Sequence, residues 1–315
     1  MHIPDNYLSP STCALVTAAM VPVWVKCVKK VKEEIPKESL PMVSIGASFS
    51  FLLMMFNVPL PGGTTGHAVG ATLLAVLLGP YAAALALTVA LFIQAIVFGD
   101  GGIISFGVNA FNMAFIMPFA GYYLFNLIKK LFKNENISLF IASYISINLA
   151  ALFASIQLGI QPLLFKDSMG LPLYNPYSIS ISVPAMVIPH LLAAGIVEGI
   201  FTVLIYSYVR KVSFKDIYSK EIKFKPLYGL IAILAVLSPL GLLAQGTAWG
   251  EWGIDEIKGL TGYIPKGMEK GFSFSSPIPD YAVGNIAPII GYILSAAAGI
   301  AILVIIFKVF QTQKD

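Results

Sequence analysis

The second residue of the chain is a histidine, and its place next to the chain start has chemical consequences. The free amine of Met1, the amide nitrogen of His2 and the His2 imidazole Nδ1 can close two small chelate rings around one metal ion, leaving one square-planar position empty. Removal of an initiator methionine generally needs a small second residue, so Met1 is expected to be retained. His67, which ends the run Pro59-Leu60-Pro61-Gly62-Gly63-Thr64-Thr65-Gly66-His67, is the candidate fourth nitrogen. Planar nitrogen ligation suits Ni(II) and Cu(II) and penalises Zn(II), which prefers a tetrahedron. The ligating nitrogens must shed protons, so binding should weaken in acid and release protons. A blander reading fits the same residues: His2 belongs to a disordered terminus and His67 caps a helix.

What must position these nitrogens is a membrane bundle. The 315 residues are 57% apolar and 11% charged, with mean hydropathy +0.81, far from the roughly 25% charged residues of a soluble protein. Of the 20 Lys and Arg, 16 fall in four clusters at the ends of apolar runs, which marks topology and argues against nucleic acid as the meaning of the +4 net charge. The chain opens His-Ile-Pro-Asp without a basic region before the first apolar stretch, so the N-terminus is expected to be mature as written. Cys13 and Cys27 sit near opposite ends of one expected helix, too far apart for a disulfide, and read as lipid-facing or packing residues.

Apolar runs near the roughly 20 residues that cross a bilayer are expected at 9–28, 41–58, 106–128, 137–158, 184–209, 226–245 and 287–308. The stretch 66–98, punctuated by Gly79-Pro80, is too long for one span. Placing the four basic clusters on one side requires that it cross twice as a hairpin, with His67 opening its short first helix. The expectation is an all-α integral membrane protein of nine helices, with its N-terminus outside and its C-terminus inside. His2 and His67 then share the external face, beside a Pro/Gly loop at 58–66 of the kind tolerated at membrane depth only where it is buried or lines a cavity.

Other ionisable groups have competing readings. Glu198, deep in an expected span and eight residues after His190, is by default a functional candidate, either a proton relay or metal contact, or an acceptor that locks the bundle; the structural role is favoured. Glu251, Asp255, Glu256, Glu269 and Asp280, nearly cancelled by Lys258, Lys266 and Lys270, read as solvating an external loop. The small residues Gly46-Ala47-Ser48, Ala82-Ala83-Ala84, Ala86 and Ala90 fit either a surface that slides on a partner or internal packing.

Separated motifs in order, Met1-His2-Ile3-Pro4-Asp5, Tyr7-Leu8-Ser9-Pro10, Pro61-Gly62-Gly63-Thr64-Thr65-Gly66-His67, Leu78-Gly79-Pro80, Gln94 with Phe98-Gly99-Asp100-Gly101-Gly102, and Asn109 with Phe111-Asn112-Met113, resemble the substrate-binding membrane component of nickel/cobalt energy-coupling-factor transporters, the CbiM/NikM family. The resemblance covers about residues 1–212. It implies a seven-helix metal-binding core that takes Ni2+ or Co2+ as bound substrate through Met1, His2 and His67. It also implies a transmembrane coupling subunit and cytoplasmic ATPase subunits as partners in a prokaryotic cell membrane. Asn6 stands where the family usually has glycine, and Asn most readily replaces Gly in a left-handed turn. Gly246-Thr247-Ala248-Trp249-Gly250-Glu251-Trp252-Gly253, Pro279-Asp280-Tyr281-Ala282, Gly291-Tyr292 and Ser295-Ala296 resemble a two-helix accessory module of the NikN/PDGLE kind. The expected domains are therefore 1–212, a basic cytoplasmic linker at 213–225, and a module at 226–315 with an external loop at 246–286. No GxxxxGK[ST] phosphate loop occurs, so the chain is not its own ATPase by that route, and no HExxH or nucleophile with a positioned base suggests an enzyme. The rival is a self-sufficient proton-coupled divalent-cation transporter or channel using Glu198 and His190.

Overall fold

A computed structural model describes residues 1–213, 222–244 and 246–312; residues 214–221 of the expected linker lie outside the described residues. In chain order the helices of the bundle are α1 (Pro10–Glu34), α2 (Leu40–Met54), α3 (Ala71–Leu78), α4 (Pro80–Phe98), α5 (Phe106–Phe132), α6 (Glu135–Leu164), α7 (Ile179–Val212), α8 (Phe224–Leu243) and α9 (Pro288–Thr312), with a further short helix, Ile254–Thr261, in the loop between α8 and α9. All but α2 and α3 are long and apolar enough to cross a bilayer. The chain is an all-α multi-pass membrane protein.

Local chemistry explains where helices begin and how far they run. Ser9 caps α1 by accepting the Thr12 amide at 3.1 Å, with Pro10 at the first helical position. The helix continues six residues past the expected apolar limit because Lys29–Glu33 and Lys30–Glu34 pair at the four-residue spacing. Its buried stripe is Cys13, Met20, Cys27 and Val31, while Leu15, Val21 and Val25 face outward. Both cysteines are thus packing residues, and both are free thiols. Every residue of α2 except Pro41 is buried, since α4, α8 and α9 enclose it. A methyl group at Gly299 of α9 would come within 2.3 Å of the Phe51 ring, and one at Gly46 within 2.9 Å of Leu78. Gly46-Ala47-Ser48, Ala82-Ala83-Ala84, Ala86 and Ala90 are all buried, so internal packing accounts for them.

The Pro/Gly segment after α2 is a two-stranded antiparallel hairpin, β1 (Val58–Leu60) and β2 (Thr64–Gly66), turned by Gly62 and Gly63 at φ 95° and 77°. His67 does not open α3 as expected. It lies four residues earlier, in an irregular passage that ends at Gly70, where φ is 72° and a Cβ would meet Phe49 at 2.7 Å. Glu198 of α7 makes the passage possible: its carboxylate accepts the Val69 amide at 2.7 Å and the Gly70 amide at 3.0 and 3.1 Å. The structural reading of Glu198 is the one the geometry bears out.

Replacing Glu198 with Ala leaves two buried amides unpaired, each costing about 1–3 kcal/mol. Thermal unfolding of the detergent-solubilised protein should shift down by several degrees for Glu198→Ala and by less for Glu198→Gln, which keeps an acceptor. Equal melting temperatures for all three proteins would contradict this role.

Candidate metal centre

The N-terminal hexapeptide is strapped to the core through its backbone. Ile3, 1% exposed, donates its amide to Asn109 Oδ1 at 2.8 Å, and its carbonyl accepts from Asn109 Nδ2 at 3.0 Å, Gly102 N at 3.2 Å and Ser105 Oγ. Asp5 accepts three successive amides, Ile103, Ile104 and Ser105, at 2.8–3.1 Å. This is why the strap needs the glycine run after α4: a Cβ on Gly102 would sit 2.3 Å from Asp5 Oδ1, and Gly101, at φ 83°, lies against the His2 ring. Asn6 adopts the expected left-handed backbone, φ 69°. The disordered-terminus reading of His2 does not survive these contacts.

The strap brings His2 over His67. Their ring centroids are 5.1 Å apart with planes tilted by 34°, and both residues are buried. His67 Nδ1 contacts its neighbour's carbonyl, Ala68 O, at 3.1 Å, which assigns the proton to Nδ1 and leaves the Nε2 lone pair free. His67 Nε2 and His2 Nε2 are buried and have no hydrogen-bond partner. His2 Nδ1 lies 3.1 Å from Asp100 Oδ1, a gap that a proton bridges in the metal-free protein. The Met1 amine is 3.5 Å from Glu251 Oε1. Burial lowers His2 to about 3, helped by the positive Met1 amine and opposed by Gln94. His67 is held well below its usual value by burial and then by the same amine. Both imidazoles are therefore neutral near pH 7, and the Nε2 lone pair of His67 is available.

Met1, His2 and His67 all line one cavity of ≈ 410 Å³, together with Asp100, Glu251 and Tyr281. Glu251 was read from sequence as a solvated loop carboxylate; instead burial raises it to about 7, against the pull of the Met1 amine. Asp100 is likewise raised by burial and stabilised by the Tyr281 hydroxyl, which donates to Oδ2 at 2.5 Å. Tyr281 is held in a left-handed backbone, φ 59°, directly after Asp280 at φ 53°. Strain on a bulky residue of this kind is a signature of a constrained site. Charge pattern alone hid Glu251; its Trp-Gly-Glu-Trp setting, with Tyr177, Trp249 and Trp252 clustered beside it, was the available signal. His190 stands apart: its Nδ1 is 2.7 Å from Met186 O, and it lines a smaller cavity beside Met1, Thr65 and Trp249.

Comparison with known proteins adds a family. The cobalt uptake substrate-specific transmembrane region, CbiM, matches residues 2–215, and the PDGLE domain matches residues 225–312. The chain is 50% identical to the probable fused nickel transport protein LarMN of Lactiplantibacillus plantarum, covering 100% of this chain and 99% of that one. It is 43% identical to the fused nickel transport protein NikMN of Rhodobacter capsulatus, covering 96% and 95%. A crystal structure of a truncated transition metal transporter superposes with TM-score 0.65 at 54% identity, covering 67% of this chain and 99% of its own.

The depressed His2 sets a pH window. Unfolded His2 takes a proton below 6.5, whereas the folded residue refuses it until about 3, so this contribution to stability is present above pH 6.5 and is lost progressively as pH falls through the window. The slope is on the order of 1 kcal/mol per pH unit. Thermal unfolding of the metal-free protein between pH 7 and pH 5 should lose stability more steeply for the parent than for His2→Gln. Parallel slopes would show that His2 is solvated.

Proposed function

Because the chain belongs to the CbiM family and carries a PDGLE domain behind it, we propose that it binds Ni2+ or Co2+ as the substrate-binding component of an energy-coupling-factor transporter. The observation that carries this reading is the convergence on one cavity of a terminal amine and two neutral, buried imidazoles, with the Nε2 of His67 unpartnered. The substrate's ligands are the Met1 amine, the amide and Nδ1 of His2, and Nε2 of His67. On binding, the proton shared between His2 Nδ1 and Asp100 is released to solvent and Nδ1 ligates the ion, while Nε2 keeps the ring's own proton. Nickel and cobalt both accept imidazole nitrogen, and the names of the relatives include nickel.

Desolvation explains why carboxylates surround nitrogen ligands. A dication bound through one ionised amide keeps a single net positive charge, and burying an unbalanced charge is costly. Glu251, 3.5 Å from the amine, and Asp100 supply the balancing charge at the cavity wall without entering the planar ligand set.

The proposed organisation is a metal-binding core at 1–212, a linker at 213–225 and a two-helix module at 226–315. The N-terminus faces outward and the C-terminus faces the cytoplasm of a prokaryotic cell. ATP hydrolysis belongs to separate ATPase subunits that act through a transmembrane coupling subunit. The proton-coupled rival needs Glu198 and His190 as a relay. Glu198 is instead committed to the Val69 and Gly70 amides, and His190 to Met186.

Inserting one alanine between Met1 and His2, or acetylating Met1, should reduce Ni2+ affinity by at least a hundredfold while leaving the circular dichroism and melting curve of the metal-free protein intact. Competition dialysis measures the affinity. Retained tight binding after the insertion sinks the ligand assignment, and metal uptake by cells that survives ATP depletion sinks the transporter class.

A further inference from the structure

A histidine that coordinates through Nδ1 must carry its proton on Nε2, and whichever group accepts that proton selects the tautomer. Nothing in the ligand set provides this acceptor. The His2 Nε2 is buried without a partner, and so is the carbonyl oxygen of Gln94 on α4. Two orphaned polar atoms of complementary type in one buried site each lack what the other supplies.

The other end of the Gln94 amide is fully engaged. Its Nε2 donates to Asp100 Oδ2 at 3.2 Å and to the Tyr281 hydroxyl at 3.1 Å, and that hydroxyl itself donates to Asp100. An amide whose nitrogen is pinned by two oxygens cannot flip, so its oxygen is the end left for His2. Gln94 is 0% exposed and occupies the π-helical turn Gln94–Phe98 that closes α4, a device that recurs at functional sites. Tyr281 is locked in turn: it stacks on Phe98 at 4.8 Å between centroids, and it spends a left-handed backbone to place its hydroxyl. Tyr281 comes from the C-terminal module, so a residue of that module holds the Gln94 amide.

We propose that Gln94 is a positioning residue for the metal centre: held by Asp100 and Tyr281, its carbonyl accepts the Nε2 proton of His2 and so fixes the tautomer that presents Nδ1 to Ni2+ or Co2+. This rests on the ligand assignment above. Gln94 does not touch the metal. It determines which nitrogen of His2 does.

The test uses full-length protein in detergent with Ni2+ as the probe, reading affinity by competition and geometry by the ligand-field absorption of bound Ni2+. Gln94→Met, similar in size and without an acceptor, should weaken binding by about 10–100-fold, the usual effect of losing a partner of a metal-bound histidine, and should shift the ligand-field band. Tyr281→Phe should weaken it by a smaller factor. The double variant should be no weaker than Gln94→Met within about twofold, because the two act through one contact. Parent-like affinity and an unmoved band in Gln94→Met overturn the proposal, as do losses that multiply in the double variant. Should Gln94→Met fail to fold, unchanged affinity in Tyr281→Phe overturns it alone. The one-residue insertion after Met1 keeps the two ideas separate: retained binding there refutes the ligand set, whereas lost binding there with a parent-like Gln94→Met refutes only the role of Gln94.

Discussion

The site depends on a peptide unit. Ile3 gives both its backbone groups to the Asn109 side chain, and its carbonyl is shared with Gly102 and Ser105. A free chain end loses about 1–2 kcal/mol of backbone entropy for each residue it orders, so Met1 and His2 would not stay in place on their own. Anchoring Ile3 on α5 and Asp5 on three amides leaves only two residues to order. Those two carry the amine, the amide and the first imidazole.

The second imidazole faces a different problem, irregular backbone that must be satisfied inside protein. Glu198, from a distant helix, accepts the Val69 and Gly70 amides that this passage would otherwise leave without a partner. The two histidines therefore meet because two side chains, Asn109 and Glu198, satisfy irregular backbone that neither α-helix nor sheet would satisfy. An amide and a carboxylate sit deep in apolar surroundings for that purpose.

Much of this was legible in the sequence. The start Met-His, the Pro/Gly run before His67, the membrane helices and the unpaired state of Cys13 and Cys27 follow from chemistry and periodicity. The left-handed Asn6 does too. The start of α3 is not legible locally, because Gly66 and Gly70 are equally good boundaries in sequence and the amide of Gly70 is taken by a carboxylate 128 residues away. Helix α1 was cut short because hydropathy stops at the first lysines, although ion pairs carry the helix onward. Glu251 is harder to read: its loop is rich in charge, and what sets it apart in space is its approach to the chain start.

That loop contact gives the fusion a physical rationale. Asn6 clasps the backbone of Phe272, accepting its amide at 2.9 Å and donating to its carbonyl at 2.8 Å, and Gly271 leaves no room there for a side chain. Tyr7 donates to Trp252 O at 2.8 Å, and Lys266 pairs with Asp167 at 2.8 Å. These are polar contacts at the rim, each of modest net worth, and separately they would hold a dissociated loop weakly. Covalent linkage turns their formation into an intramolecular event at high effective concentration, and α9 buried against α2 limits how far the loop can stray. Glu251 and Tyr281 are thereby kept at the cavity wall. For the proposed metal binding, a loop on a separate chain would leave the amine without its counter-charge for much of the time.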